Sequence, residues 1–295
     1  MASARALPTI AFVGTGVMGH SMAGHLLDSG YPLVVFNRTR EKAAALIARG
    51  ARWASSAGEA ASLADVTITI VGYPADVEAV YLAPDGILAK ASSGAIVIDM
   101  TTSTPTLAVR IAEAATARGI LALDAPVSGG DIGAREARLT IMVGGDSAAF
   151  DKVHPIFQVL GKTVTHMGGP GLGQHTKMAN QIAIAGTMLS VVEALAYARA
   201  TGLDPERVLG AISAGSAGSW SMSNYGPRIL AGDMKAGFYV KHFIKDLRIA
   251  LSEAEAVGLE LPGLDLARRL YERLAESGGG DLGTQALWTL YGDKA

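Results

Sequence analysis

Two polar side chains in the segment GLGQHTKMANQ, Lys177 and Asn180, have the types and the spacing to act together on a substrate. Side chains three residues apart project from the same face of an α-helix. A lysine ammonium can donate the proton that a developing alkoxide needs when hydride is transferred to a carbonyl carbon. The pair therefore predicts acid–base chemistry beside an apolar run. Taken alone, the two residues also suit a solvated lysine near the start of a helix.

A second candidate is the segment DAPVSGG, residues 124–130, which follows an apolar run and turns at Pro126. Successive backbone N–H groups around Ser128, Gly129 and Gly130 can form a concave nest for a carboxylate or an oxyanion. The alternative is a turn without a ligand.

The third candidate is the glycine-rich segment GTGVMG, residues 14–19, between an apolar run and an amphipathic helical pattern. In that context Gly14 permits a tight turn, Gly16 leaves room for a pyrophosphate, and Gly19 lets the helix pack closely on the strand. The free N–H groups at the start of the helix then bind the phosphates. The segment predicts a dinucleotide site made of Gly14, Thr15, Gly16, Val17, Met18 and Gly19. A glycine turn without a ligand is the alternative.

The residues after the second apolar run bear on which dinucleotide binds. An Asp or Glu usually holds the adenosine ribose 2′-hydroxyl about 20 residues beyond the glycines, but Asn37, Arg38 and Thr39 stand there. One charge-assisted hydrogen bond contributes roughly 1.5–3 kcal/mol, so one arginine could favour a 2′-phosphate by about tenfold to a hundredfold. The segment predicts a preference for NADP(H), with NAD(H) possible. Alternatively, Thr39 only caps a helix that begins at Arg40, and the arginines are solvated.

A later segment, KHFIKDLRIAL, places Lys241 and Lys245 one helical turn apart. The two lysines could form a solvated stripe, or they could supply charge to the cofactor.

The secondary-structure elements that must position these residues follow different sequence patterns in the two halves of the chain. Short β-branched runs alternate with Ala-rich helical patterns in the first half, as in a parallel sheet covered on both faces; the runs are TIAFV, LVVFN, VTITIV, AIVIDM, LALDAP and LTIMVG. Only helical patterns follow the glycine-rich residues 166–173. We therefore predict an α/β protein, with a Rossmann-type doubly wound sheet in residues 1–166 and an all-α domain in residues 167–295.

The first helical pattern after the glycines, residues 174–202, is apolar nearly all round over its middle. It predicts a helix of about 27 residues that is buried on all sides, partly against another subunit. Its apolar run IAIAGTMLSVV is too short to span a bilayer.

Composition excludes several other classes of protein. The net charge is −2 and no basic run occurs, so no nucleic-acid or membrane partner is expected. Without cysteine there is no disulfide and no thiolate metal site, which suits the cytoplasm. His20 and His25 are five residues apart and off one helical face, so no metal is expected. The first seven residues lack the apolar region of a signal peptide.

The order of the segments GTGVMGHSMAGHLL, DAPVSGG, GLGQHTKMAN and HFIKDLRIAL resembles the β-hydroxyacid dehydrogenase family. This family includes 3-hydroxyisobutyrate dehydrogenase and the tartronate semialdehyde, succinic semialdehyde and glyoxylate reductases. The likeness extends from about residue 8 to residue 292.

The resemblance implies hydride transfer between a nicotinamide and a small carbonyl or hydroxy acid, in a homodimer or homotetramer. It implies that Lys177 is the catalytic acid/base and that Asn180 helps to hold the substrate. It also implies roles for residues elsewhere in the chain: Ser128, Gly129 and Gly130 bind the substrate carboxylate, and Tyr73, Pro74, Thr102 and Lys245 contact the cofactor.

Two segments depart from the family pattern. Ala137 and Arg138 precede the strand LTIMVGG where many members have Gly and Thr. Trp220 and Tyr225 stand in a Ser/Gly-rich stretch where better-known members differ, and Trp220 could line the pocket or belong to the core. Two other functions remain open: an imine reductase of the same architecture, against which Lys177 argues, and an NADP-binding module without catalysis.

Overall fold

The computed structural model describes residues 7–292, so six of the first seven residues lie outside the described residues. Two compact units divide after Lys177. The sequence predicts a boundary eleven residues earlier, after residue 166. The difference arises because the first turns of a long helix, which contain Gln174, are hydrogen-bonded to the first unit through Ser103 and Asp124.

The first unit contains a single sheet of nine strands in the order β3-β2-β1-β4-β5-β6-β8-β7, with β9 paired to β8. The strands are β1 (Ile10–Val13), β2 (Leu33–Phe36), β3 (Arg52–Trp53), β4 (Val66–Thr69), β5 (Ile96–Asp99), β6 (Leu121–Asp124), β7 (Val127–Ser128), β8 (Leu139–Gly145) and β9 (Gly161–Gly168). The six predicted strands are present, whereas the sequence analysis missed β3, β7 and β9.

The strands from β3 to β6 are parallel, as predicted. The prediction is wrong for the run LTIMVG, because β8 is antiparallel to β6 and β7. A parallel connection needs a crossover that returns the chain across the sheet. The helix between β6 and β8 has only six residues, Gly130–Arg135, and is too short for that return.

Helices cover both faces of the parallel strands. They are α1 (Val17–Asp28), α2 (Ala44–Ala48), α3 (Ala57–Ser62), α4 (Pro74–Leu82), α5 (Ile87–Lys90), α6 (Pro105–Thr116), α7 (Gly130–Arg135) and α8 (Ser147–Leu160). Alternate residues of a strand point to opposite faces. Ile10 and Phe12 of β1 accordingly belong to one buried cluster and Ala11 and Val13 to another. Burial on both faces explains why these strands are apolar at nearly every position.

The second unit is helical, as predicted. The remaining helices are α9 (Leu172–Ala200), whose first turns belong to the first unit, α10 (Pro205–Ser213), α11 (Trp220–Leu230), α12 (Val240–Ala256), α13 (Pro262–Glu276) and α14 (Thr289–Gly292). Its core centres on the aromatic pair Phe243 and Tyr271, whose ring centroids are 5.0 Å apart. The Tyr271 hydroxyl donates to the Thr284 carbonyl oxygen at 2.9 Å, so its burial leaves no unpaired hydroxyl.

Within one chain, the long helix α9 is not buried on all sides, and its predicted burial against another subunit stays a prediction. A stripe of residues on one face is exposed, namely Ala179, Ala183, Gly186, Ser190, Glu193 and Tyr197. Among the residues that the structure describes, α9 is the one helix that is long and apolar enough to cross a membrane by length and composition alone, and 39% of its most apolar stretch is buried.

Candidate active site

The glycine loop joins β1 to α1, and its three glycines are required for different reasons. Gly14 has a φ of +100°, and a Cβ there would lie 2.1 Å from the Ile70 carbonyl oxygen. A Cβ on Gly19 would lie 1.9 Å from the Gly14 carbonyl oxygen. The packing of helix on strand therefore demands both glycines.

Gly16 is different, because neither its backbone nor its neighbours require a glycine. Its φ of −72° and ψ of −160° suit any residue, and a Cβ there would meet nothing within 4 Å. The missing side chain leaves open space before the first turn of α1, where the N–H groups of a helix have no intrahelical partner. This arrangement fits a phosphate that approaches the backbone closely.

The loop offers one more polar group. Thr15 is 2% exposed, and its hydroxyl has no hydrogen-bond partner among the described residues. An unpartnered buried hydroxyl calls for an explanation, and a ligand is one. With the open space at Gly16, the loop has the shape and the donors that a dinucleotide pyrophosphate needs.

Asn37 supports this loop from β2. Its side-chain oxygen accepts from the Thr15 backbone N–H at 3.0 Å, and its side-chain nitrogen donates to the Thr39 carbonyl oxygen at 2.8 Å. Asn37 therefore links the glycine loop to the end of β2. Its amide is committed to backbone groups.

Arg38 points outward from the same end of β2 and pairs with Asp76. Arg38 Nη1 lies 3.0 Å from Asp76 Oδ1, and the Arg38 side chain is 81% exposed. The other Asp76 oxygen accepts from the Tyr73 backbone N–H at 3.1 Å, which fixes the carboxylate at the start of α4. Asp76 was not among the predicted site residues. The signal for it in the sequence is an acidic residue in the first turn of a helix that begins with proline.

The capping alternative for Thr39 fails in its main point. Thr39 does precede a 3₁₀ turn, Arg40–Ala43, but its side chain makes no capping hydrogen bond. Arg40 stacks over the Trp53 ring at 5.5 Å. Neither arginine is merely solvated, since one pairs with a carboxylate and the other with an aromatic face.

A buried hydrogen-bond network connects the turns that follow β4 and β5. The Thr69 hydroxyl donates to Asp99 at 2.8 Å, the Thr101 N–H donates to the same oxygen at 3.1 Å, and the Val71 N–H donates to the Thr101 hydroxyl at 2.9 Å. This network holds the two turns that carry the predicted cofactor contacts Tyr73, Pro74 and Thr102. Burial raises the pKa of Asp99 to about 6, against the effect of these hydrogen bonds.

The raised pKa of Asp99 makes stability depend on pH. Between the unfolded pKa of 3.8 and the folded pKa of about 6, the folded chain holds a proton that the unfolded chain has released. The contribution of Asp99 to the free energy of unfolding is therefore greatest below pH 4. It decreases by up to about 3 kcal/mol as the pH rises to 6. We expect the Asp99→Asn variant to show a smaller decrease in urea unfolding measured from pH 4 to pH 7. It should keep the part that Asp124 contributes, because burial also raises the pKa of Asp124 to about 6. Parallel pH profiles for the two proteins would contradict the assignment.

The segment 124–130 forms the predicted turn. Gly129 and Gly130 have φ values of +128° and +62°, a left-handed conformation that favours glycine, and Ser128 pairs with Thr140 of β8. The turn therefore exists as expected. Its role in binding a carboxylate stays a prediction.

Lys177 is buried, and only 6% of its surface is exposed. The alternative of a surface lysine is therefore wrong. Its ammonium donates to the Val127 carbonyl oxygen at 2.8 Å. Val127 directly precedes Ser128, so the structure brings the predicted acid/base to the predicted carboxylate-binding turn. These two segments are 50 residues apart in the chain.

The other polar residues of the predicted site form a network in the second unit. Asn180 donates to the Gln181 side chain at 2.7 Å, and Gln181 donates to Asp246 at 2.7 Å. Lys245 pairs with Asp246 at 3.2 Å, and its side chain is 12% exposed. The solvated-stripe alternative is therefore wrong for Lys245, whereas Lys241 is half-exposed and pairs with Asp281. The sequence analysis missed Gln181 and Asp246, both polar residues on otherwise apolar helix faces.

The two departures from the family pattern have different outcomes. Trp220 is 54% exposed and stacks edge-on with Tyr225 at 5.2 Å, so it is not a core residue. Ala137 has a φ of +51° and is the one non-glycine residue with positive φ among the described residues. Glycine is favoured at such a position, which explains its presence in other members of the family.

Substitution of Ala137 by glycine should stabilise the chain. The left-handed conformation costs an L-residue about 1–2 kcal/mol, and the added freedom of glycine when unfolded returns part of that. We expect Ala137→Gly to raise the free energy of unfolding by about 0.5–1 kcal/mol in urea titration, with a matched Ala179→Gly variant in α9 moving in the opposite direction. A loss of stability in Ala137→Gly would contradict the left-handed conformation.

Among the described residues, no group of three or more His, Asp or Glu side chains could hold a metal ion.

Two family models match nearly the whole chain. The NAD binding domain of 6-phosphogluconate dehydrogenase matches residues 9–169, and the model described as NAD-binding of NADP-dependent 3-hydroxyisobutyrate dehydrogenase matches residues 171–291. The first match alone spans more than half of the sequence.

Individual proteins agree with the family models. An uncharacterised oxidoreductase of Bacillus subtilis is 54% identical over 96% of this chain and 98% of its own length. An NAD-dependent L-serine dehydrogenase of Pseudomonas aeruginosa is 38% identical over 91% of this chain and 93% of its own. The solved structure of Mycobacterium tuberculosis 3-hydroxyisobutyrate dehydrogenase with L-serine superposes with a TM-score of 0.89, at 30% identity, covering 98% of this chain and all of that one.

The Rossmann-type sheet, the glycine loop with its open space and the helical second unit define an NAD(P)-binding oxidoreductase. Within that class, the chain belongs to the β-hydroxyacid dehydrogenase family and is an NAD(P)-dependent dehydrogenase.

Proposed function

We propose that this dehydrogenase transfers hydride between NADP(H) and a small 3-hydroxy acid, or the corresponding semialdehyde or glyoxylate-type carbonyl acid, with Lys177 as the general acid/base. One observation carries the proposal: the buried Lys177 ammonium lies 2.8 Å from the Val127 carbonyl oxygen, beside the turn at Ser128, Gly129 and Gly130. An acid/base group next to a carboxylate-binding turn selects substrates that carry a hydroxyl or carbonyl close to a carboxylate.

The names of relatives support this substrate class. L-Serine and 3-hydroxyisobutyrate, which appear in those names, are both carboxylic acids with a primary hydroxyl on the β-carbon. In the reductive direction, Lys177 would donate its proton to the carbonyl oxygen, and a bound nicotinamide would be the source of the hydride. In the oxidative direction, the neutral amine accepts the hydroxyl proton. Asn180, three residues further along the same helix, helps to hold the substrate.

The cofactor preference rests on the end of β2. Arg38 is exposed, cationic and held by a single carboxylate, so a 2′-phosphate can replace Asp76 as its partner. The names of relatives differ in the cofactor. The description of one family model names an NADP-dependent dehydrogenase, and the Pseudomonas enzyme is named as NAD-dependent. We infer a preference for NADP(H), while NAD(H) binds without the phosphate contact.

Reversal of the charge at Arg38 tests the preference. We expect Arg38→Asp to lower kcat/KM for NADPH by about tenfold to a hundredfold and to leave NADH nearly unchanged, because only NADPH carries the 2′-phosphate. Initial rates with both cofactors measure the effect, and Arg110→Asp, on α6, is a matched surface control. Equal losses with the two cofactors would show that Arg38 serves the loop and not the phosphate.

A substrate panel tests the proposed reaction. It contains the hydroxy acids L-serine and 3-hydroxyisobutyrate, each with NAD⁺ and with NADP⁺. It also contains tartronate semialdehyde, succinic semialdehyde, glyoxylate and a pyrroline, each with NADH and with NADPH. We expect turnover of one or more carbonyl or 3-hydroxy acids. Turnover of the pyrroline alone would replace the proposal by imine reduction. If NADPH raises the melting temperature and no compound reacts, a non-catalytic role replaces it.

The subunit arrangement is also a proposal. The exposed stripe on α9, from Ala179 to Tyr197, supports a homodimer or homotetramer in which a second copy covers it.

A further inference from the structure

The carboxylate of Asp124, at the end of β6, is 5% exposed and accepts hydrogen bonds from the start of α9. One oxygen accepts from the Gly171 N–H and the other from the Gln174 N–H, each at 2.8 Å. A helix leaves its first N–H groups without intrahelical partners, and its N-terminus favours a negative charge. Asp124 thus caps α9 from a different element of the fold, 47 and 50 residues away in sequence.

A second tie holds the same turn. Gln174 is fully buried; its side-chain oxygen accepts from the Ser103 N–H at 3.0 Å, and its side-chain nitrogen donates to the Thr101 carbonyl oxygen at 2.7 Å. The turn that follows β5 therefore holds α9 through a side chain, while Asp124 holds it through the backbone. Gln174 lies three residues before Lys177, and Gly171 lies six residues before it.

Close packing leaves this turn little freedom. A Cβ on Gly173 would lie 2.5 Å from the Asp124 carbonyl oxygen and 2.6 Å from the Met142 carbonyl oxygen. A Cβ on Gly144, in β8, would lie 2.5 Å from an Asp124 side-chain oxygen. Glycines at both positions let the helix and the strands approach to backbone contact.

Asp124 and the acceptor of Lys177 belong to one short stretch of chain. Asp124 holds the backbone of α9, and Val127, three residues later, accepts from the Lys177 ammonium at 2.8 Å. Residues 124–127 therefore fix both the first turn of α9 and the position of the Lys177 ammonium.

We propose that Asp124 is a positioning residue for Lys177: its carboxylate fixes the first turn of α9 so that the ammonium is delivered to the turn at Ser128. This inference rests on the proposed role of Lys177. A displacement of about 1 Å in an acid/base group can cost about a hundredfold in rate. The loss of one of the two hydrogen bonds to Asp124 should therefore affect turnover more than binding of the cofactor, whose glycine loop joins β1 to α1.

The test is the Asp124→Asn variant. The oxygen of the asparagine side chain can still accept a hydrogen bond from one of the two backbone N–H groups, of Gly171 or Gln174. Its NH₂ group cannot accept one from the other. We expect kcat to fall by tenfold or more, the Kd for NADPH to stay within twofold, and the primary deuterium isotope effect with 4-deuterated NADPH to rise as hydride transfer becomes rate-limiting. Asp146→Asn is the matched control, because Asp146 caps α8 through the Ala149 N–H at 2.7 Å and that helix carries no proposed catalytic group. It should keep its kcat.

The outcomes separate the inference from the proposed function. A kcat within twofold of wild type for folded Asp124→Asn would overturn the inference, as would an equal loss in Asp146→Asn. If Asp124→Asn does not fold, Gln174→Met keeps the backbone N–H and removes only the ties to Ser103 and Thr101. A severalfold fall in kcat then supports the positioning of α9, and an unchanged kcat overturns it. Full activity of Lys177→Ala would instead refute the proposed function.

Discussion

Replacement of Lys177 by alanine should lower kcat by about 10²–10⁴-fold, the range typical of a lost general acid/base. Lys177 is the buried cation beside the 124–130 turn, and its ammonium lies within hydrogen-bond reach of that turn's backbone. In the proposed reaction, this variant leaves the developing alkoxide without its proton donor. Steady-state and single-turnover rates with NADPH and the best substrate of the panel measure the effect.

Binding of the cofactor distinguishes a chemical loss from a structural one. The glycine loop joins β1 to α1 and does not include Lys177, so the Kd for NADPH of Lys177→Ala should remain within a fewfold of wild type in fluorescence titration. Lys162→Ala, in β9, removes an exposed lysine from the same unit and should leave kcat unchanged. Near-normal turnover in Lys177→Ala would remove Lys177 from the mechanism. Lys177→Arg retains the charge without an ordinary acid/base function and should stay impaired.

Substitution of Gly16 by alanine should weaken NADPH binding by about tenfold to a hundredfold while the protein keeps its fold. The backbone at Gly16 suits any residue, and a Cβ would meet open space in the chain itself. Only a ligand close to the backbone would collide with that Cβ. The loss of one or two charge-assisted hydrogen bonds to the pyrophosphate, each roughly 1.5–3 kcal/mol, sets the size of the effect.

Two matched glycines make this result specific. Gly14→Ala should reduce the yield of folded protein, because its φ is +100° and a Cβ would lie 2.1 Å from the Ile70 carbonyl oxygen. Gly210→Ala, on α10, also adds a Cβ in open space and should leave NADPH binding unchanged. Thermal unfolding and NADPH titration on all three variants separate folding from binding. Wild-type affinity in Gly16→Ala would place the pyrophosphate elsewhere.

The amino-acid sequence determined the features that depend on neighbours along the chain. Strand positions followed from apolar runs, because strands buried on both faces have no polar side to alternate. The glycine loop was recognisable because strand, glycines and helix are contiguous. The helical second domain and the family followed in the same way, from four motifs in a fixed order.

The tertiary structure decided the features that depend on partners far away in sequence. The direction of β8 depended on the length of the helix before it, and the three strands without a clear sequence pattern, β3, β7 and β9, formed through pairing. Asp76 and Arg38 are 38 residues apart, so no local pattern indicated that an acid stands beside the predicted phosphate site.

The same reason governs the chemistry of the candidate site. Lys177 alone resembles any lysine near a helix start, and DAPVSGG alone resembles any turn. Their meeting across 50 residues, with Asp124 holding the helix by its backbone, is a consequence of where the ends of β6 and β7 lie in the sheet. The sequence indicated which residue types could do chemistry, because that depends on local patterns. The fold decided which side chains are buried and which are paired, because burial and pairing depend on contacts between segments that are far apart in the chain.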